Sequence, residues 1–224
     1  MNARDVVDQA AGILNDPGHD RWGLSQLVGF YNDARRAVVL VRPDANAVTK
    51  PVELKKGTLQ TIPRGGLQLI DVVRNLPGGE PVTQIDRETL DASVEGWHSE
   101  SPDDDEPIDH YTWDDRRPRE FYVTPPAAEG QKVELVYAKA PEPIKPPEGN
   151  GSWPDFDLDP VYIGPVRDWM LYLAHSLNTS EAAPSRMGHY YEAFYHALGE
   201  TKVRAEALVG PRPYRQYRRK SEDD

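Results

Sequence analysis

The sequence predicts an α+β fold: a helical bundle built from both ends of the chain, a β-containing middle insertion and an extended C-terminal tail. Three observations predict it. Apolar residues recur at helical spacing before residue 42 and again after residue 160. Between these stretches, apolar and polar residues alternate in short runs broken by glycine and proline. The last stretch keeps neither period. The expected segments are 1–45 for the N-terminal helices, 46–156 for a β-rich insertion with an acidic loop, 157–208 for the C-terminal helices and 209–224 for a basic docking tail.

Two helices are expected first. Asn2 is a natural N-cap, Val6, Ala10, Ile13 and Leu14 follow helical spacing, and Asp16-Pro17-Gly18 ends the run. In the second helix Leu24, Leu27, Tyr31, Ala34, Val38 and Val41 form an apolar stripe. Asp33, Arg35 and Arg36 flank it as its polar face, and Arg42-Pro43 stops it.

The middle changes period. Val48 to Leu54 and Thr58 to Pro63 alternate about Lys56-Gly57, which predicts a hairpin. Leu69, Ile70, Val72 and Val73 are rich in β-branched residues and predict a strand ending at Pro77-Gly78-Gly79. Asp86 to Ala92 reads as one or two helical turns. From Asp86 to Glu120 there are thirteen acids against four arginines, including Asp103-Asp104-Asp105-Glu106. Glu120 to Thr124 and Lys132 to Ala138 read as strands joined by a turn at Pro125 to Gln131.

Ala140 to Pro147 holds four prolines and predicts an extended connector. Asp159-Pro160 then supplies an N-cap and first helical residue, with Tyr162, Val166, Trp169, Met170, Leu173 and Leu177 on one face. After Asn178 to Ala183, a last helix carries Met187, Tyr191, Phe194, Leu198, Ala205 and Leu208, which Gly199 weakens without ending.

Composition narrows the function. The 224 residues carry a net charge of −11 and are 38% hydrophobic; counted with glycine in place of tyrosine the share is about 41%, below the roughly 45–50% usual for a globular domain. Twenty-one prolines and 17 glycines are also an excess. The longest aliphatic run, Ala37 to Val41, is far short of a membrane span. Arg4, Asp5 and Asp8 interrupt any leader-like apolar stretch. The absence of cysteine removes disulfides, thiol catalysis and Cys-ligated zinc.

No motif commits the chain to catalysis, and no cofactor or metal is expected. There is no Gly-x-Ser-x-Gly, and the six histidines are scattered. Arg64-Gly65-Gly66 and Pro77-Gly78-Gly79-Glu80 lack the Lys-Ser/Thr of a phosphate loop and read as turns. His98, Asp103, Asp105, Asp109 and His110 match no cation-loop spacing. His189 and His196 lack a third ligand, and no carboxylate pair is singled out for glycoside hydrolysis. Tyr172, Tyr190, Tyr191, Phe194 and Tyr195 crowd the last two helices, as Trp97, Tyr111 and Trp113 crowd the acidic segment. Core filling and subunit packing both fit these aromatics. The tail from Pro211 to Lys220 has five cations and no acid. A solvated tail, contact with nucleic acid and docking into a partner protein are its three readings.

An ordered set of segments resembles the head-to-tail adaptor, or connector, proteins of short-tailed bacteriophages, the tail tubular protein A-like group. It comprises Arg21-Trp22, Tyr31-Asn32-Asp33-Ala34-Arg35-Arg36, Val41-Arg42-Pro43-Asp44-Ala45, Leu54 to Pro63 and Leu69 to Asn75. Phe121-Tyr122-Val123, Val133 to Ala138, His189-Tyr190-Tyr191, Phe194 and Leu198-Gly199 complete it. The resemblance implies a structural virion protein, not an enzyme. It would form a ring, typically of twelve copies, at the head–tail junction after assembly in the host cytoplasm. The portal protein would bind one side and the tail nozzle or tubular protein the other. Packaged DNA would pass through without sequence-specific binding, and no membrane is involved. Family members commonly reach the portal with a C-terminal extension, a role that here would fall to Arg212, Tyr214, Arg215, Tyr217, Arg218, Arg219 and Lys220. The alternative is a nucleic-acid-binding phage packaging or regulatory factor that uses the same tail.

Overall fold

A computed structural model of the chain describes residues 1–98, 106–114, 116–149, 151–177 and 183–209, with residues 183 and 200–209 described as backbone alone. Its described residues form five α-helices and two β-sheets, an α+β fold.

Helix α1 (Ala3–Ile13) starts where the sequence places its cap. The Asn2 side chain accepts from the Asp5 amide at 3.0 Å while the Asp5 carboxylate accepts from the Asn2 amide at 2.8 Å. Two of the amides left open by the helix start are thereby satisfied reciprocally. Helix α2 (Leu24–Val41) buries Leu27, Tyr31, Ala34 and Val38, as the stripe predicts. It also buries Val28, Phe30, Val39 and, against expectation, Arg35, whereas Val41 is exposed. The helix is covered on two sides, so the buried surface is wider than a single 3–4 stripe.

A 3-10 turn at Pro43–Asn46 leads into the strands. In chain order these are β1 (Ala47–Glu53), β2 (Gly57–Thr61), β3 (Gly66–Leu76), β4 (Thr83–Gln84), β5 (His110–Trp113), β6 (Glu120–Ala127) and β7 (Lys132–Lys139). Helix α3 (Arg87–Ser93) lies between β4 and β5, with Asp86 as its N-cap. The order β1-β7-β3 forms one antiparallel sheet. The order β2-β6-β5-β4 forms the other, with only β4 and β5 parallel.

The expected hairpin is therefore not present. β1 pairs with β7 and β2 with β6, so the chain changes sheets at Leu54 to Lys56. Buried Gln60 makes that crossing: it accepts from the Lys55 amide at 2.8 Å and donates to the carbonyls of Lys55 and Gly57. Gly57, at φ +105°, takes a backbone conformation open to glycine. β6 and β7 likewise belong to different sheets, and β6 runs on to Ala127 rather than stopping at Thr124. β5 falls inside the acidic stretch, where the sequence pattern predicts no strand. The two sheets bury Leu69, Val72, Tyr111, Phe121, Val123, Leu135 and Tyr137 in one core.

β3 explains its own irregular sequence. Its buried residues, Gly66, Leu69, Val72 and Asn75, recur every third position instead of every second. They pair with alternate residues of β7: Lys139, Tyr137, Leu135 and Val133. A register shift in each interval puts two residues of β3 opposite one of β7, the arrangement of a β-bulge.

Helix α4 (Ile163–Ser176) begins through a 3-10 turn at Pro160–Tyr162 capped by Asp159, whose side chain accepts from Val161 at 2.9 Å. Helix α5 (Ala183–Val209) continues through Gly199. Leu177, expected on the α4 face, is 59% exposed. Helices from both ends of the sequence share a second core of Val6, Leu27, Tyr31, Val166, Met170 and Phe194. Burying each such large side chain contributes about 1.5–3 kcal/mol. Leu67 of β3 packs against this helical core, and Asn46 donates to the Lys139 carbonyl at 2.7 Å.

Two glycines separate steric need from backbone cost. A Cβ on Gly66 would lie 2.7 Å from Ile62 and 3.0 Å from the Pro63 carbonyl, whereas one on Gly29 would meet nothing within 4 Å. Gly66→Ala is expected to lower stability in urea unfolding by about 1–3 kcal/mol. Gly29→Ala, inside α2, is expected to raise it by up to about 1 kcal/mol.

Candidate functional site

Several residues that carry the family resemblance, among them Trp22, Asn32, Arg35, Arg42 and Asp44, also join distant parts of the fold. Asp16 ends the turn after α1. Its carboxylate accepts from the amides of Asp20 at 2.9 Å, Arg21 at 3.1 Å and Trp22 at 2.8 Å. The Trp22 amide foremost, with those of Arg21 and Asp20, holds the Asp16 carboxyl below its ordinary value against the opposing effect of burial. The loop so fixed delivers Trp22 onto Phe30, ring centroids 5.9 Å apart and edge to face.

Arg35 is the centre of the second junction. The spacing of α2 puts it one turn beyond Tyr31, and its guanidinium stands over the Tyr31 ring at 4.7 Å. It donates to Asp157 at 2.5 Å, to Asn32 Oδ1 at 2.7 Å and to the Glu142 carbonyl at 2.8 Å. Asn32 completes the clamp, donating to the Ile144 carbonyl at 2.9 Å and accepting from the Ile144 amide at 3.0 Å. The proline-rich connector cannot form a helical or sheet ladder, and these side chains supply its partners instead. Burial pushes the Tyr31 phenol up to about 12, with the Arg35 charge opposing.

A third junction closes the far end of α2. Buried Arg42 grips Asp44 through two nitrogens, at 2.9 and 2.5 Å, and reaches the Leu198 carbonyl of α5 at 3.4 Å. The Arg42 hydrogen bonds hold the Asp44 carboxyl below its ordinary value.

The outer side of α4 and α5 carries an aromatic surface. Trp169 lies 4.5 Å from Phe194, 4.8 Å from Tyr172, 6.2 Å from Tyr191 and 6.3 Å from Tyr195, centroid to centroid. Phe194 is fully buried, but Tyr191 and Tyr195 are 43% and 42% exposed. Helical spacing of four residues sets these two tyrosines side by side on the surface, 4.8 Å apart. The other aromatic group behaves differently. Trp97 and Tyr111 are buried, and Trp113 packs against the strand core, so these fill the interior.

The residues expected to dock a partner, Arg212, Tyr214, Arg215, Tyr217, Arg218, Arg219 and Lys220, lie outside the described residues, as do Asp103 and Asp105. Among the described residues no cluster of three or more His, Asp or Glu could hold a metal ion, and no helix is long and apolar enough to cross a membrane. His98 instead hydrogen-bonds Thr58 at 3.1 Å and stacks on Trp97, while His110 lies in β5 opposite Thr124. Sequence reasoning missed Arg35 and Arg42 because charge at a helical position normally marks a solvated face. The one available signal was that both sit inside the segments carrying the resemblance.

The family model described as SU10 adaptor protein matches residues 1–216. No curated protein matches the chain.

Two measurements test these junctions. Asp16 has a folded-state pKa below its unfolded value, so its stabilisation is complete above about pH 4 and is lost as pH falls through the folded-state value. Asp16→Asn is expected to be less stable than the parent at pH 7, with the gap narrowing in urea unfolding at pH 3. Arg35→Ala is expected to cost about 2–3 kcal/mol, since it removes a buried guanidinium and leaves the Glu142 carbonyl and Asp157 without its hydrogen bonds, with Asn32 still holding Ile144. Limited proteolysis is expected to cut between residues 140 and 147 in that variant first. Arg35→Lys is expected to recover less than half of the loss, because an ammonium cannot span the three acceptors.

Proposed function

The chain belongs to the SU10 adaptor protein family, and from that premise we propose that it forms a closed ring of about twelve copies between a phage portal and the tail. The family is one of phage head–tail adaptors, so the protein is a structural component of the virion's head–tail junction rather than an enzyme. The observation that carries the proposal is the family match, which spans nearly the whole chain.

In this reading the helices of both ends close as one bundle and form the ring wall. The segment 46–156 elaborates it, and 209–224 is an arm. Tyr191 and Tyr195, with Trp169 and Tyr172 behind them, suit contact between neighbouring copies. Aromatics concentrate in protein interfaces, and Tyr191 and Tyr195 are 43% and 42% exposed here. The portal is held by Arg212, Tyr214, Arg215, Tyr217, Arg218, Arg219 and Lys220, and the nozzle binds the opposite side. Assembly takes place in the host cytoplasm. The net charge of −11 supports an acidic lumen wall that repels DNA phosphates and lets the genome slide without sequence-specific binding.

Electron microscopy of the protein mixed with portal-bearing capsids tests the ring. The expected image is a ring of about twelve-fold symmetry beneath the portal, and isolated copies scattered on the capsid would overturn it. In the same mixture, removal of residues 211–224 is expected to weaken attachment at least tenfold while leaving the unfolding midpoint unchanged. Undiminished attachment would remove the tail from the portal contact.

A further inference from the structure

Away from the aromatic surface, the last turn of α4 and the first turns of α5 come together with the end of α1. A groove of about 480 Å³ opens there, lined by Asn15, His175, Ser185, Arg186, His189 and Tyr190. His175 is 7% exposed yet makes no side-chain hydrogen bond among the described residues, and its ring lies parallel to Tyr190 at 5.6 Å. Arg186 is exposed and has no ion-pair partner among the described residues. Ser185 and Arg186 lie in the first turn of α5, a helix of 27 residues, where backbone amides lack helical acceptors and the helix dipole is positive.

We propose that this groove is an anion site that takes a side-chain carboxylate presented by a protein partner. Four features converge on it: a guanidinium and a largely buried imidazole, neither with a side-chain partner among the described residues, a second imidazole on His189 and the start of a long helix. A carboxylate accepts from Arg186 through one oxygen while the other meets an imidazole N–H of His175. Nucleic acid is the disfavoured ligand. A chain of net charge −11 repels a polyanion, and phosphate backbones are held by many cations in series rather than by one arginine. The charges known to act on His175 are positive, from Arg186 of α5 and Arg21 ahead of α2; with burial as the first cause, they hold its pKa below the ordinary histidine value. Asp168 on α4, raised by burial, interacts electrostatically with His189, and Glu192 stands one helical turn beyond His189 on α5. An anion in the groove reverses the field at His175 and raises that pKa.

The test is a titration of the full chain followed through its histidine ring resonances by NMR, at constant ionic strength in sodium chloride. The two monoanionic probes are acetate and dimethyl phosphate. The expected result is a saturable shift of His175 and His189 with acetate and a rise in the His175 pKa at saturation. Dimethyl phosphate is expected to bind no more tightly. Arg186→Gln, a surface change that leaves the packing of His175 intact, is expected to weaken acetate about tenfold. Absence of a saturable shift, or one indifferent to Arg186→Gln, overturns the site. Tighter binding of dimethyl phosphate overturns the carboxylate assignment and points to nucleic acid instead.

Discussion

The placement of Arg35 constrains the rest of the fold. One guanidinium, buried on α2, meets three acceptors from widely separated parts of the chain: Asn32 on its own helix, the Glu142 carbonyl of the connector, and Asp157 just before α4. The connector is too rich in proline to satisfy itself. Without this clamp it would have no fixed path from β7 back to the helices. With it, the chain leaves the strands over α2 and enters α4 in position to pack against both N-terminal helices. The N-terminus reinforces the same seam, since the Ala3 amide donates to the Pro154 carbonyl at 2.9 Å and the Phe156 amide to the Met1 carbonyl at 3.2 Å.

The shortage of apolar residues is met by dividing them between two cores rather than by disorder throughout the chain. The helical core is drawn from the two ends, and the strand core from both sheets. Polar side chains do much of the joining. Gln60 turns the chain from one sheet to the other, and Arg42 ties the end of α2 to α5. Asn75 donates to the Ile108 carbonyl and accepts from the Ile108 amide, fixing the return of the acidic segment to β5. Each of these groups is buried and hydrogen-bonded, so each costs little to bury and much to remove.

The surface is equally divided. Aromatic side chains are half exposed along α4 and α5, while the groove between the end of α4 and the start of α5 gathers Arg186, His175 and His189 on an otherwise acidic chain. An adaptor must present different faces to unlike neighbours, and these two surfaces differ in the chemistry they can recognise: ring stacking on one, a single anion on the other.

The sequence by itself determined the helices and most strands. Local forces suffice for them: the Asn2 cap, the 3–4 spacing of Leu27, Tyr31, Ala34 and Val38, and the alternation of Val133, Leu135 and Tyr137 are all readable within one turn or a few residues. It also determined which residues carry the adaptor resemblance. Strand partners were not legible in it. β1 and β2 adjoin in sequence yet bond to β7 and β6, because pairing is decided by which sheet face each strand can bury, not by the length of the turn between them. The every-third burial of β3 exists only against the register of β7. The role of Arg35 was equally hidden: on an isolated helix it is a solvated cation, and only the arrival of the connector and Asp157, more than a hundred residues later, makes it a buried anchor. Long-range partners set the dielectric surroundings of a charged group, and only the tertiary fold supplies them.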